Sequence, residues 1–235
     1  MEKMHRYAVY YAPRSGTFAD HAACWLGCDG LTGAHMPPPE DLGPPDVPGL
    51  PESSANLTKD PRRYGFHGTI RAPFRPAEGI SVQEIGAQVA SLAAGLQPVM
   101  CDGLQIENLH GFVALTPEGG HAALQDLAAR VVKVTNPLRA PLTEAEIARR
   151  RPERLTPRQR DLLRDWGYPF VMEEFRFHLT LTDRLPQDQL PTVIAALWAY
   201  FDPVLPKPFL IEDLCLFGED AKGRFHLLHR YALTG

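Results

Sequence analysis

Two five-residue stretches, Phe66-His67-Gly68-Thr69-Ile70 and Phe177-His178-Leu179-Thr180-Leu181, repeat one pattern: apolar, histidine, any residue, threonine, apolar. Alternate residues of a β-strand share a face. His67 and Thr69 therefore project from one side of a strand, and Phe66, Gly68 and Ile70 from the other. The second stretch opposes Arg176, His178, Thr180 and Thr182 to Phe175, Phe177, Leu179 and Leu181. Such a chain has to place two half-polar strands, each with one face on a core and one toward a cleft. With nine His and 17 Ser plus Thr in 235 residues, two apolar-flanked matches arise by chance in roughly 1% of such chains. The competing explanation is a pair of strand histidines satisfied inside the core.

The surroundings repeat as well. Strands are predicted over Tyr7–Ala12, Tyr64–Arg71 and Glu174–Thr182. After the first histidine strand, Ser81 and Glu84 form a capping box ahead of an apolar stripe, Val82, Ile85, Val89, Leu92 and Leu96. Strands near Leu104–Asn108 and Gly111–Leu115 follow. The second histidine strand is followed by a helix bearing Leu190, Ile194, Leu197 and Phe201, then strands near Phe209–Phe217 and Arg224–Ala232. Both courses read strand–helix–strand–strand, and Ile106-Glu107-Asn108-Leu109 resembles Ile211-Glu212-Asp213-Leu214, as an internal duplication would. Before them, Phe18, Ala22, Trp25 and Leu26 form a helix ending near Gly27. Seven prolines between residues 37 and 51 make 33–60 a long loop. Between the courses, Leu124, Leu127, Ala128 and Val131 mark one helix, and Thr143 with Glu146 and Thr156-Pro157 with Gln159 open two more.

Charge narrows the partners. The formal net charge of −4 argues against a duplex-DNA binder working by bulk attraction. Yet residues 59–76 sum to +4 and residues 139–165 to +3, so positive charge collects beside the first histidine motif and in the connector. Met1–Tyr7 has no apolar leader and the longest apolar run, Val193–Phe201, is too short to span a bilayer, so a cytoplasmic protein without a membrane is expected. Cys24, Cys28, Cys101 and Cys215 have no zinc-type spacing and read as reduced structural thiols.

Two imidazoles titrating near pH ~6.5 can divide acid and base work, one accepting a proton from water while the other donates to a leaving alkoxide. Threonine hydroxyls two residues away can hold non-bridging phosphate oxygens in the transition state. Neither a metal nor a cofactor is called for. Arg71 and Arg176 share the histidine face by alternation and are candidate phosphate ligands. With 19 Arg against five Lys, compositional bias is the alternative. Tyr64 and Tyr168 could stack on a sugar or base, or simply pack in the core.

The two His-x-Thr strands on a duplicated α+β scaffold resemble the two-histidine (2H) phosphoesterase superfamily. Trp25-Leu26-Gly27, Leu31-Thr32-Gly33, Tyr64-Gly65-Phe66-His67, Pro73-Phe74, Trp166-Gly167-Tyr168-Pro169 and Phe175 to Thr182 resemble one branch of it. That branch comprises phosphonate-metabolism proteins, a domain family of unknown function often encoded beside carbon–phosphorus lyase genes. The resemblance covers essentially the whole chain. It implies His67, Thr69, His178 and Thr180 as the catalytic set, and metal-independent chemistry on cyclic phosphodiesters or related phosphoesters. The family pattern leads one to expect a lysine at Arg71 and a glycine at Asp183.

The expected fold is α+β and bilobed, with two small, mostly antiparallel sheets facing across a cleft and helices outside. Residues 1–235 form one domain, with a first lobe near 61–135, a helical connector near 136–170 and a second lobe near 171–235. The N-terminal strand at 7–12 should pair in one of the sheets. The expected function is hydrolysis of a small cyclic phosphodiester, a ribose cyclic phosphate in phosphonate catabolism being the natural candidate. A small phosphorylated sugar or nucleotide would be the partner. Alternatives are RNA-end processing, by 2′,3′-cyclic phosphodiester hydrolysis or 2′–5′ ligation, and a non-catalytic phosphate- or nucleotide-binding regulator. Acid and base assignments and oligomeric state stay open.

Overall fold

The computed structural model describes residues 4–28 and 47–235. Leu31-Thr32-Gly33 and the first half of the expected proline-rich loop lie outside them. From 47 onward that loop contains a short helix at Ser54–Leu57 (α2). Strand β1 (Arg6–Tyr11) leads into α1 (Thr17–Leu26), which stops where Gly27 turns left-handed. The chain continues through β2 (Gly68–Phe74), α3 (Val82–Ala94), β3 (Val99–Cys101), β4 (Gly103–Leu109) and β5 (Phe112–Glu118). Helices α4 (His121–Thr135), α5 (Glu144–Arg149) and α6 (Pro157–Trp166) follow. Then come β6 (Leu179–Arg184), α7 (Leu190–Phe201), β7 (Phe209–Ile211), β8 (Asp213–Glu219) and β9 (Phe225–Ala232). Helices α3, α5 and α6 each begin with a capping box, on Ser81, Thr143 and Thr156. Local side-chain bonds satisfy the first backbone donors there, which is why sequence alone locates them.

The α+β class is as expected, with one particular corrected. The strands form one seven-stranded antiparallel sheet, in order β4-β5-β6-β2-β1-β8-β9, and β3 pairs with β7 in a separate two-stranded sheet. The halves of the large sheet meet at a single register pair, Gly68 against Leu179. Nor do the halves follow the lobes drawn at 61–135 and 171–235. The β4–β5 hairpin pairs with β6, and β8 pairs with β1, while α3 packs on β8 and β9 and α7 on β4 and β5. Each course thus gives its helix and late strands to the other's half, an exchange that no local sequence signal encodes.

The palindromic order shows the true frame of the duplication. Exchanging β1 with β5, β2 with β6 and β4 with β8 maps six strands of the sheet onto themselves, leaving β9 as an addition. The repeat therefore begins at β1 and at β5, one strand and one helix earlier than the sequence reading placed it. The two Ile-Glu-x-Leu tetrapeptides are not equivalent: Ile106–Leu109 ends β4, whereas Ile211–Leu214 spans the break between β7 and β8.

One face of the sheet buries Val9, Tyr11, Ile70, Leu104, Val113, Leu115, Leu179 and Leu181 against α1, α3, α4 and α7. The opposite face carries a smaller cluster around Ala8, Tyr10, Phe217 and Phe225. Among the described residues no helix is long and apolar enough to cross a membrane.

Candidate active site

The two histidines stand just before their strands rather than within them. Gly65, at φ 71°, turns the chain out of a 3-10 turn at Pro61–Arg63, and a second such turn at Met172–Glu174 precedes His178. The ladder has not yet formed there, so each ring bonds to its own chain. His67 Nδ1–H donates to the Gly65 carbonyl at 2.9 Å, and His178 Nδ1–H to the Arg176 carbonyl at 2.8 Å. A carbonyl only accepts, so both protons sit on Nδ1 and both Nε2 lone pairs are left for a ligand.

Register brings the motifs together. Extending the Gly68–Leu179 pair by one residue each way sets His67 across from Thr180 and Thr69 across from His178. Gly68 makes that approach possible: a Cβ there would lie 2.4 Å from the Phe177 ring. Among the described residues neither the Thr69 nor the Thr180 hydroxyl has a hydrogen-bond partner, while those of Thr58, Thr116, Thr135 and Thr182 are all bonded. His67, Thr180, Tyr64, Phe112 and Thr182 line a cavity of about 270 Å³. His67 stacks on Tyr10 at 4.0 Å between ring centroids, and Phe112 lies 5.7 Å from His178.

Burial lowers both imidazoles. His67 falls to about 4, through burial first, against the Gly65 bond and with a smaller push from His178. Burial also lowers His178, with the Arg176 carbonyl opposing. Both rings are therefore neutral near pH 7 in the free protein. The simple expectation of one charged and one neutral ring needs a bound anion to restore it.

Neither Arg71 nor Arg176 lines the cavity around His67. The ladder pairs Thr69 with Tyr10 and Arg71 with Val9, with a register shift between the two pairs. Arg71 is 1% exposed, donates from Nη1 to the Trp166 carbonyl at 2.9 Å, and lines a second cavity of about 230 Å³ with Tyr64 and Tyr168. Arg176 is exposed and donates to the carbonyls of Glu173 and Phe175. Arg62 and Arg184 bond to Thr58 and to the His110 carbonyl. The Asp183 carboxylate accepts the backbone N–H groups of Lys59 and Asp60, both at 2.9 Å, and so anchors the approach to Gly65 and His67. Sequence reading missed Tyr10, whose signal was its place on the minor face between Ala8 and Ala12, and Arg139, Arg149 and Arg150 as cavity residues.

Residues 69–226 match the family described as "Protein of unknown function (DUF1045)". The chain belongs to the DUF1045 family. The match takes in Thr69, Arg71, His178 and Thr180. This DUF1045 chain is 36% identical over 228 residues to a ribose 1,5-bisphosphate phosphokinase PhnN of Janthinobacterium sp. (strain Marseille), covering 94% of this chain and 49% of that protein. A protein of the same name from Laribacter hongkongensis (strain HLHK9) is 34% identical over 223 residues, covering 93% and 49%. The DUF1045 chain thus spans about half the length of the curated relatives it matches. Among solved structures it is similar to one described as a phosphoesterase, at 13% identity over 98% of this chain and 99% of the other, with a TM-score of 0.41. The complex of E. coli LigT with NADP+ is 13% identical over 99% of each chain, with a TM-score of 0.39. At these scores the likeness carries no argument.

Proposed function

We propose that this protein is a phosphoesterase that hydrolyses a small cyclic phosphodiester of a pentose without a metal ion. The observation that carries the reading is the paired geometry: two Nε2 lone pairs fixed by equivalent Nδ1 bonds, each across from an unpartnered threonine hydroxyl.

The bound diester's negative charge raises both imidazoles toward neutrality. Burial lowers His67 further than His178, so His178 takes the proton first. Its charge then keeps His67 neutral. His67 Nε2 accepts a proton from water as the water oxygen bonds to phosphorus, the ring P–O bond breaks, and His178 Nε2 gives its proton to the departing sugar oxygen. Thr69 and Thr180 donate to the non-bridging oxygens. The product is an acyclic phosphomonoester, and solvent resets the proton on each ring.

The relatives' name is built on ribose 1,5-bisphosphate, which supports a pentose phosphate as the substrate class. Their kinase activity does not carry over as it stands, because this sequence has no Gly-Lys dipeptide and so no P-loop. The test is a turnover screen of ribose 1,2-cyclic phosphates against nucleoside 2′,3′-cyclic phosphates, with His67→Ala and His178→Ala alongside. Ribose substrates should turn over, either variant should lose at least about 100-fold, and chelator should change nothing. Activity that vanishes with chelator, or that ignores both substitutions, would sink the reading.

A further inference from the structure

The cavity under Arg71 differs from the histidine cavity in one respect that stability does not explain. Arg71 Nε and Nη2 are buried without a hydrogen-bond partner, and they are the only buried side-chain polar atoms in that condition among the described residues. A buried donor left unsatisfied costs about 1–3 kcal/mol, and more when charged. Burial, helped by the Arg139 charge, lowers the Arg71 guanidinium to about 9. The carboxylates in reach are already engaged: Glu146 takes two bonds of 2.9 Å from Arg75, and Glu219 pairs with Arg6. Arg139, Arg149 and Arg150 line the same cavity, Arg150 lying 4.7 Å over the Tyr168 ring. Six arginines and one carboxylate, Glu146, line the cavity, which is therefore strongly positive.

Nε and Nη2 form one edge of the guanidinium fork, the edge that grips two oxygens of a phosphate or carboxylate side-on. Tyr64 lines both cavities. Tyr10, stacked on His67, lies within electrostatic reach of Arg6, which lines the Arg71 cavity. Thr69 and Arg71 are two residues apart on β2, close enough for one small bisphosphorylated ligand to reach both.

We propose that the Arg71 cavity holds a terminal phosphomonoester of the substrate, so that the protein acts on a pentose cyclic phosphodiester bearing a second phosphate. The diester end of this ligand rests on the phosphoesterase reading; the anion site does not. Hydrolysis that breaks the phosphorus–O2 bond of a 1,2-cyclic diester and keeps the anomeric O–P bond yields a ribose 1,5-bisphosphate, the compound in the relatives' name.

The test has a binding arm and a turnover arm. In the first, ribose 5-phosphate is titrated calorimetrically into the intact protein, which needs no diester and no catalysis. It should bind the wild type and His67→Ala within about threefold of each other. Arg150→Ala should weaken it about 3–10-fold, and Arg71→Lys, which keeps the charge and loses the fork, about 30-fold or more. Should Arg71→Lys fail to fold, Arg150→Ala and Arg149→Ala decide the question. In the second arm, kcat/KM is compared for ribose 1,2-cyclic phosphate with and without a 5-phosphate, and the phosphorylated form should be favoured at least 100-fold. Undetectable binding of ribose 5-phosphate at millimolar concentration, or binding indifferent to the arginine substitutions, overturns the proposal. So does equal turnover of the two diesters. Arginine-dependent binding in a protein that turns over neither diester upholds the anion site and fails the phosphoesterase reading instead.

Discussion

The two repeats carry the same machinery in unlike surroundings. His67 and His178 bond to the carbonyl two residues back, and Thr69 and Thr180 stand free beside them. Two residues further on the repeats diverge. In the second, the Thr182 hydroxyl accepts the Val113 N–H at 2.9 Å and closes a bulge between β5 and β6. At the equivalent place in the first, Arg71 is buried with half its fork unused. The residue between histidine and threonine differs too: Gly68 admits the Phe177 ring, whereas Leu179 is fully buried in the core. A two-fold pair of imidazoles has no intrinsic direction. On this account direction comes from the surroundings, which lower His67 to about 4 and put the positive cavity at the Arg71 end.

The largest effect belongs to the histidines themselves: His67→Ala and His178→Ala should each cost about 10²–10⁴-fold in kcat on the cyclic diester, with unfolding midpoints measured alongside to confirm folded protein. Next is the glycine. Gly68→Ala puts a methyl 2.4 Å from the Phe177 ring and should lose about 1–3 kcal/mol in a denaturant melt, prising β2 from β6.

Protonation gives a third test. The folded protein holds His67 at about 4 against 6.5 when free, so the unfolded chain binds more protons between those values. Stability is therefore complete above pH 6.5 and is lost as pH falls toward 4. Allowing for the ring's partial exposure, the loss is on the order of 2 kcal/mol and should shrink in His67→Gln. The same values predict a bell-shaped kcat/KM profile: below about 4 the base is protonated, and above the lowered His178 value the acid is lost. Its maximum should lie below pH 6.5, and a maximum above 7.5 would contradict the lowering of both imidazoles. The smallest effect concerns the threonines. Thr182→Val leaves the Val113 N–H unsatisfied and should cost about 1 kcal/mol of stability. Thr69→Val and Thr180→Val, which break no bond in the fold, should leave the melt almost unchanged while lowering kcat.

What the sequence made legible was local. The three capping boxes, the alternation around both histidines and the stop at Gly27 each depend on neighbours within a turn, and all stand in the structure. What it hid was long-range or irregular. The histidine strands were expected over 64–71 and 174–182 but run over 68–74 and 179–184, because 3-10 turns occupy the residues before them. The register shift opposite Val9 interrupts the ladder at Arg71, which no local pattern announces. The frame of the duplication was misread because the Ile-Glu-x-Leu stretches at 106 and 211 lie differently on their strands, the first starting inside β4 and the second before β8. Asp183, read as a departure near the cleft, anchors the backbone of Lys59 and Asp60.

The central claim is that two equivalent histidines do opposite work. It is tested most directly by changing the leaving group. A phosphodiester with a nitrophenolate leaving group needs no proton delivered to the departing oxygen but still needs its water activated. On such a substrate His178→Ala should recover to within about tenfold of the wild type, while His67→Ala stays at least 100-fold down. Recovery of both variants, of neither, or of His67→Ala alone would contradict the account.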